Sequence, residues 1–145
     1  MLENLKAATF EVFEGMFFLF PELPLLEPPR WKGPGVRAWV PVNGPRQFCI
    51  GLTVPESLAR KMAANFLGLG NQEPTPEQIQ DVVREGANMV AGSFLAREGA
   101  SAAFHLQPPR SQTLDLGAPH FRLNLNHLLF LVEEEEGLEV FLGKM

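Results

Sequence analysis

Asp81, Glu85 and Asn88 stand at i, i+4 and i+7 in the chain. On a helix turning about 100° per residue, they fall within roughly 60° of one another around the axis. The stripe so formed carries two carboxylates and an amide. A carboxylate can anchor a cationic partner. A carboxamide both donates and accepts hydrogen bonds without changing protonation. Solvated polar residues are the ordinary content of an exposed helix face, and an acid near a helix N-terminus suits the macrodipole. Asn88 fits that ordinary content less well, because asparagine competes for backbone hydrogen bonds in a helix body and no cap explains it. Gly92 lies one turn further along the stripe. An interior glycine costs a helix about 1 kcal/mol relative to alanine. Close approach of another surface, tight packing within the domain, or simple tolerance would account for it.

The helix that must present this stripe has the clearest start in the sequence. Thr75 can cap, Pro76 suits the first helical position, and Gln78 completes a Thr-x-x-Gln capping box. Ile79, Val82, Val83, Val90 and Phe94 then run down the opposite face to about Glu98, where Gly99 stops the helix. Upstream, residues 3–20 read as a helix with Phe10, Phe13, Phe17 and Phe20 on one stripe. Residues 21–35 hold five prolines and two glycines and read as a loop. Residues 36–42 and 47–54 flank Asn43-Gly44, whose positive φ angles suit a tight hairpin turn. Pro41 and Pro45 place at least one of these strands at an edge or near a bulge. A second helix spans 55–67 and ends at Gly68 and Gly70. Strands are expected at 102–106, 120–125, 128–132 and 138–142, with a turn over 133–137. Helix, hairpin, helix, helix, strands is an α+β order with an antiparallel sheet packed against long helices, in one domain over 1–145. Glu14-Gly15-Met16-Phe17 weakly echoes Glu85-Gly86-Ala87-Asn88, as an ancient duplication would leave.

The 145 residues carry a net charge of −5, with 46% apolar content and twelve Phe. That composition excludes a disordered polyampholyte. The twelve Lys and Arg are scattered, which leaves no electrostatic footprint for nucleic acid or an anionic membrane. Neither a signal peptide nor a membrane-spanning run is expected, and one cysteine allows no intrachain disulfide, so a cytoplasmic protein is expected. Cys49, between Phe48 and Ile50, reads as a buried thiol.

Other signals carry less. His120 and His127 are seven apart, an odd spacing that sends them to opposite faces of a continuous strand, and with His105 they read as structural or surface residues, not ligands. Glu133 to Glu136 read as a solvated turn. No nucleophile elbow surrounds a serine, and no glycine-rich phosphate loop with lysine is present.

The run Asp81-Val82-Val83-Arg84-Glu85-Gly86-Ala87-Asn88-Met89-Val90-Ala91-Gly92 resembles the signature of the CheC/CheX phosphatases: Asp or Ser, Glu four residues on, Asn three further, then an apolar pair and a Gly. Gly51 to Pro55 leading into a helix, and a downstream strand running into Pro108-Pro109, agree with that family's layout. The resemblance implies a CheX/CheC-like fold and a phosphatase acting on the aspartyl phosphate of a CheY-like response-regulator receiver domain. It implies that Asn88 orients the attacking water and that Glu85 reaches the receiver's lysine; Asp81 orients Glu85 or Arg84 or contacts the partner, and Gly92 is expected to meet the partner. No metal or cofactor of the domain's own is implied, the Mg²⁺ being supplied by the receiver. Phe17 stands where a second site would need Asn, so one site per chain is implied, as in the CheX type, whose members form homodimers. A different class stays open beside it, a non-catalytic module of the same fold that docks a receiver domain or another signalling partner.

Overall fold

The computed structural model describes residues 1–22, 29, 31–119, 121–124, 126–133 and 136–144. Helix α1 (Leu2–Met16) turns Leu5, Ala8, Val12 and Phe13 inward. It ends four residues before the periodicity predicts. Phe18 takes a left-handed backbone conformation, φ 55°, at a position where helices usually place glycine. Beyond Met16 the chain alternates: Phe17 and Leu19 are buried, while Phe18 and Phe20 are exposed. Phe20 therefore leaves the buried stripe on which helical spacing put it. The period had changed from 3.6 to 2 before the sequence reached Pro21.

Residues 21–35, expected as loop throughout, contribute β1 (Pro21–Glu22) and the start of β2 (Pro34–Asn43). β2 pairs antiparallel with β3 (Phe48–Pro55) from Gly35↔Pro55 to Val42↔Phe48. The turn between them differs in mechanism from the expected one. Gly44 has no positive φ; instead, a Cβ there would lie 2.5 Å from the Phe104 ring and 2.8 Å from the Ala103 carbonyl oxygen. Close approach, not handedness, requires that glycine. Helix α2 (Glu56–Leu67) stops at Gly68, φ 64°, as expected. Helix α3 (Pro76–Arg97) opens with the predicted capping box: Thr75 Oγ1 accepts from Gln78 N at 3.1 Å, and Gln78 Oε1 accepts from Thr75 N at 2.9 Å.

The C-terminal third departs most from expectation. Only His105–Leu106 of the predicted 102–106 strand is extended (β4). A strand absent from the sequence-based assignment, β5 (Arg110–Asp115), pairs with β2 from Pro34↔Asp115 to Trp39↔Arg110. Together β4 and β5 make a broken neighbour to β2. Pro41 falls in the break, where its carbonyl accepts from Gln107 N at 2.8 Å. That satisfies the edge-or-bulge condition set by proline. Residues 121–124 are not a strand; His120 and Leu125, which bounded the predicted one, lie outside the described residues. β6 (Asn126–Val132) and β7 (Glu136–Lys144) form the last hairpin.

The sheet is antiparallel with order β1-β6-β7-β3-β2-β4, β5 also pairing with β2. Alternate residues of β2, β3, β6 and β7, among them Val40, Leu52, Phe130 and Val140, join the inner faces of the three helices in one apolar cluster. Fully burying a Phe or Leu stabilises by about 1.5–3 kcal/mol, so this layer carries the fold. Cys49 belongs to the buried set, and desolvation raises its thiol pKa, as expected of a structural thiol. On the other face of the sheet, Glu139 is fully buried. It accepts from Thr53 Oγ1 at 2.6 Å, from Arg37 Nη2 at 3.1 Å and from Asn124 N at 2.7 Å. The Arg37 guanidinium also sits 5.1 Å from the Phe121 ring centroid, so the network fastens the 121–124 segment to the sheet. Among the described residues no helix is long and apolar enough to cross a membrane.

Candidate functional site

α3 runs beside α1 in the opposite direction. Asn4 Nδ2 donates to the Arg97 carbonyl at 3.4 Å, Glu11 accepts from Ser93 at 2.9 Å and from Arg97 at 2.6 Å, and Phe17 lies against Gly86. Ion pairing to Arg97 and the Ser93 hydrogen bond hold the Glu11 carboxyl below the usual carboxylate range. Ile79, Val82, Val83, Gly86, Ala87, Val90, Ala91, Phe94 and Leu95 face inward. The phase fixed by that apolar set leaves Asp81 and Glu85 exposed and Asn88 and Gly92 half-buried. The stripe predicted from spacing exists on the outer side of the helix.

Glu85 and Asn88 are one turn apart, about 4.5 Å along the axis. Among the described residues neither side chain makes a hydrogen bond or ion pair. Their polar atoms are therefore available to another molecule. An amide held on a rigid helix and a carboxylate one turn away can position a water and a cation side by side. Among the described residues no three His, Cys, Asp or Glu side chains gather to hold a metal ion.

Asp81 is differently employed. It forms an ion pair with Arg84, whose Nη1 donates to Ser111 Oγ at 2.6 Å. Ser111 Oγ in turn donates to Gln80 Oε1 at 2.7 Å, and Gln80 Nε2 donates to Thr113 Oγ1 at 3.0 Å. This brace joins α3 to β5 and lines a polar groove of about 630 Å³ beside the stripe. It was not foreseen, because Ser111 and Thr113 belong to the strand that the sequence did not reveal. Their i, i+2 spacing on a polar strand was the one available signal.

Gly92 is not explained by packing among the described residues: a Cβ there would meet none of them within 4 Å. Gly86 is the glycine that packing uses, its missing Cβ lying 3.2 Å from the Phe17 ring and 3.3 Å from Met62 Cε. On the α1 side of the stripe a second groove, about 470 Å³, is lined by Glu11, Val12, Gly15, Met16, Met89 and Ser93. The stripe thus has a polar flank toward β5 and a more apolar flank toward α1.

Phe17, the residue in the place of Asn88 within the weak echo, is fully buried. Its ring packs edge-on to Phe13 at 5.3 Å and against Phe66 at 5.6 Å between centroids. The end of α1 therefore offers no amide in the place that Asn88 takes on α3.

Comparison with known proteins bears on the fold and the family. The chain superposes on the chemotaxis protein CheX from Vibrio vulnificus with a TM-score of 0.73 at 20% identity, covering 97% of this chain and 95% of that one. The CheX–CheY–BeF3–Mg²⁺ complex from Borrelia burgdorferi contains a chain matching with a TM-score of 0.68 at 19% identity, over 98% and 96% of the two chains. FliY from Thermotoga maritima matches at 0.63 and 14% identity, over 95% and 84%. These likenesses show a shared α+β fold. No curated protein matches the chain in sequence. The model of the family described as chemotaxis phosphatase CheX matches residues 36–117, more than half of the chain, a span that contains all of α3. A match over more than half of the chain shows the family: the chain belongs to the CheX family of chemotaxis phosphatases.

Proposed function

We propose that this chain hydrolyses the aspartyl phosphate of a CheY-like receiver domain, using Asn88 as the catalytic residue and Glu85 as an anchor. The observation that carries the proposal is the pair of unpartnered polar side chains, one turn apart, on the outer face of a helix whose phase is locked by its core. Membership of a chemotaxis phosphatase family supports it, as does a structural neighbour solved in complex with CheY.

In this reaction the oxygen of a water bonds to phosphorus as the bond to the aspartyl oxygen breaks, giving inorganic phosphate and the free carboxylate. The transition state is loose and asks little covalent chemistry of the protein. The leaving group is a weakly basic carboxylate, with a pKa of about 3.9 once released, so no general acid is required. What remains is to hold the water in line. The Asn88 amide can accept one hydrogen bond from that water and donate another, and being neutral it does not repel the phosphoryl oxygens. Glu85 reaches a lysine of the receiver, fixing the depth at which Asn88 enters. Asp81, through Arg84, keeps the flank of α3 against β5, and Gly92 lets the partner approach the helix backbone. Mg²⁺ belongs to the receiver.

The test follows phosphate on purified receiver domains from the same cell, with and without this protein. Decay accelerated by the wild-type chain and not by Asn88→Ala is the expected result. If wild type accelerates no receiver, yet binds one, the chain is a docking module and the catalytic assignment fails.

A further inference from the structure

We infer that the end of α1 forms a fixed apolar ledge, Met16, Phe18 and Phe20, that grips the receiver domain beside the Glu85–Asn88 pair; the inference rests on the function proposed above. These side chains are 42%, 63% and 57% exposed. The burial of Phe17 against Gly86, between Glu85 and Asn88, sets the level at which its neighbours Met16 and Phe18 emerge beside α3. Met16 also shares the groove with Met89, the residue next to Asn88. Met16 thus brings the ledge to the α1 flank of the stripe.

Its exposure is held in place by hydrogen bonds. Asn65 Nδ2 donates to the Phe17 carbonyl at 2.8 Å, Leu19 N donates to the Phe13 carbonyl at 3.0 Å, and Phe20 N donates to Glu133 Oε1 at 3.1 Å. With Phe17 and Leu19 buried, the rings that follow each of them, Phe18 and Phe20, point outward. Phe18 moreover keeps φ at 55°, a conformation unfavourable for a bulky side chain, and strained residues of this kind gather at ligand clamps.

Area selects the occupant. A specific interface takes about 800 Å² and about 20–30 residues from each partner, of which Asp81, Glu85, Asn88 and Gly92 are only four. A globular domain seated over Asn88 must overhang one flank or both, and the α1 flank supplies large, pre-positioned apolar anchors. Such anchors dominate binding energy because their side chains lose little freedom on contact. The stripe would then select chemistry, and the ledge would supply affinity.

The probe is a CheY-type receiver from the same cell, loaded with beryllofluoride and Mg²⁺ as a phosphoryl mimic and titrated calorimetrically against wild type, Phe18→Gly, Phe18→Gly/Phe20→Ser and Asn88→Ala. Phe18→Gly should weaken binding about tenfold while melting no lower than wild type, since glycine suits the backbone there. The double variant should weaken binding further, and Asn88→Ala should bind like wild type yet fail to speed phosphate loss from the same receiver in its phosphorylated form. Unchanged affinity in both ledge variants, with turnover still lost in Asn88→Ala, would overturn the ledge and leave the phosphatase standing. Receiver binding by no form of the chain would overturn both. If sedimentation shows wild type as a dimer and the double variant as a monomer of unchanged receiver affinity, the ledge belongs to a second copy of this chain and the inference is wrong.

Discussion

The end of α1 and the middle of α3 lie side by side, run in opposite directions and carry related residues, Glu14-Gly15-Met16-Phe17 and Glu85-Gly86-Ala87-Asn88. They do opposite things. Phe17 is fully buried between Phe13, Phe66 and Gly86, whereas Asn88 is half-buried and its amide has no partner among the described residues. In α1 the last residue of the motif lies just past the helical end and turns inward. In α3 the corresponding residue lies mid-helix on the outer side. One position has been given to stability, and its counterpart keeps an unbonded polar side chain among the described residues. The glycines follow the same division: Gly86 is needed by Phe17, while Gly15 has open space beside its backbone.

The comparison breaks most severely if the two ends are exchanged. Phe17→Asn would place an amide in the apolar cluster and remove a fully buried ring. A loss of about 3–5 kcal/mol is expected from the ring alone, with the unsatisfied amide adding to it. Urea unfolding measures this directly, and the variant should gain no second phosphatase site. A midpoint close to wild type would mean that the α1 end is not the structural half of the pair.

Asn88→Ala tests the other half. Loss of a positioning group should lower receiver dephosphorylation by about 10²-fold or more. The melting temperature should hardly move, since the side chain is half-exposed and unbonded. A rate equal to wild type removes Asn88 from the mechanism; a collapse in stability would instead make it structural, like Phe17.

How far each region was legible depends on how local its signals are. The start of α3, its stripe and the buried face came directly from the sequence, because a capping box and a 3.6-residue period involve neighbours in the chain. α1 was read too long because its stop is made by a phenylalanine in a left-handed conformation, without glycine at that point. β5 was missed because Arg110 to Asp115 is mostly exposed and lacks apolar alternation. The flanks of the site were hidden for a further reason. The Arg84–Ser111 contact spans 27 positions in sequence, and the groove between Met16 and Met89 joins two helices. Tertiary packing brings these groups together, and no local pattern encodes it.

Glu85→Lys sharpens the division within the site itself. If the carboxylate anchors a receiver lysine, reversing its charge should weaken receiver affinity about tenfold, with no cost to folding because Glu85 is exposed and unpaired among the described residues. Calorimetric titration separates this from a turnover defect. Affinity equal to wild type would count against the anchoring role, leaving Asn88 to act without it.

The smallest expected effect comes from the glycine that internal packing does not explain. A Cβ at Gly92 meets nothing within 4 Å, and the residue lies inside α3, four positions beyond Asn88. Gly92→Ala should therefore stabilise the isolated chain by roughly 0.5–1 kcal/mol, through helix propensity and reduced freedom of the unfolded state. If a receiver approaches the backbone here, the same methyl should weaken its binding a few-fold, so that stability and affinity move in opposite directions. Gly86→Ala supplies the internal control: its Cβ would press on Phe17 and Met62, so any helix gain there is offset by crowding from within. A rise in melting temperature for Gly92→Ala with affinity unchanged would show that the glycine is merely tolerated and that the partner's footprint ends before it.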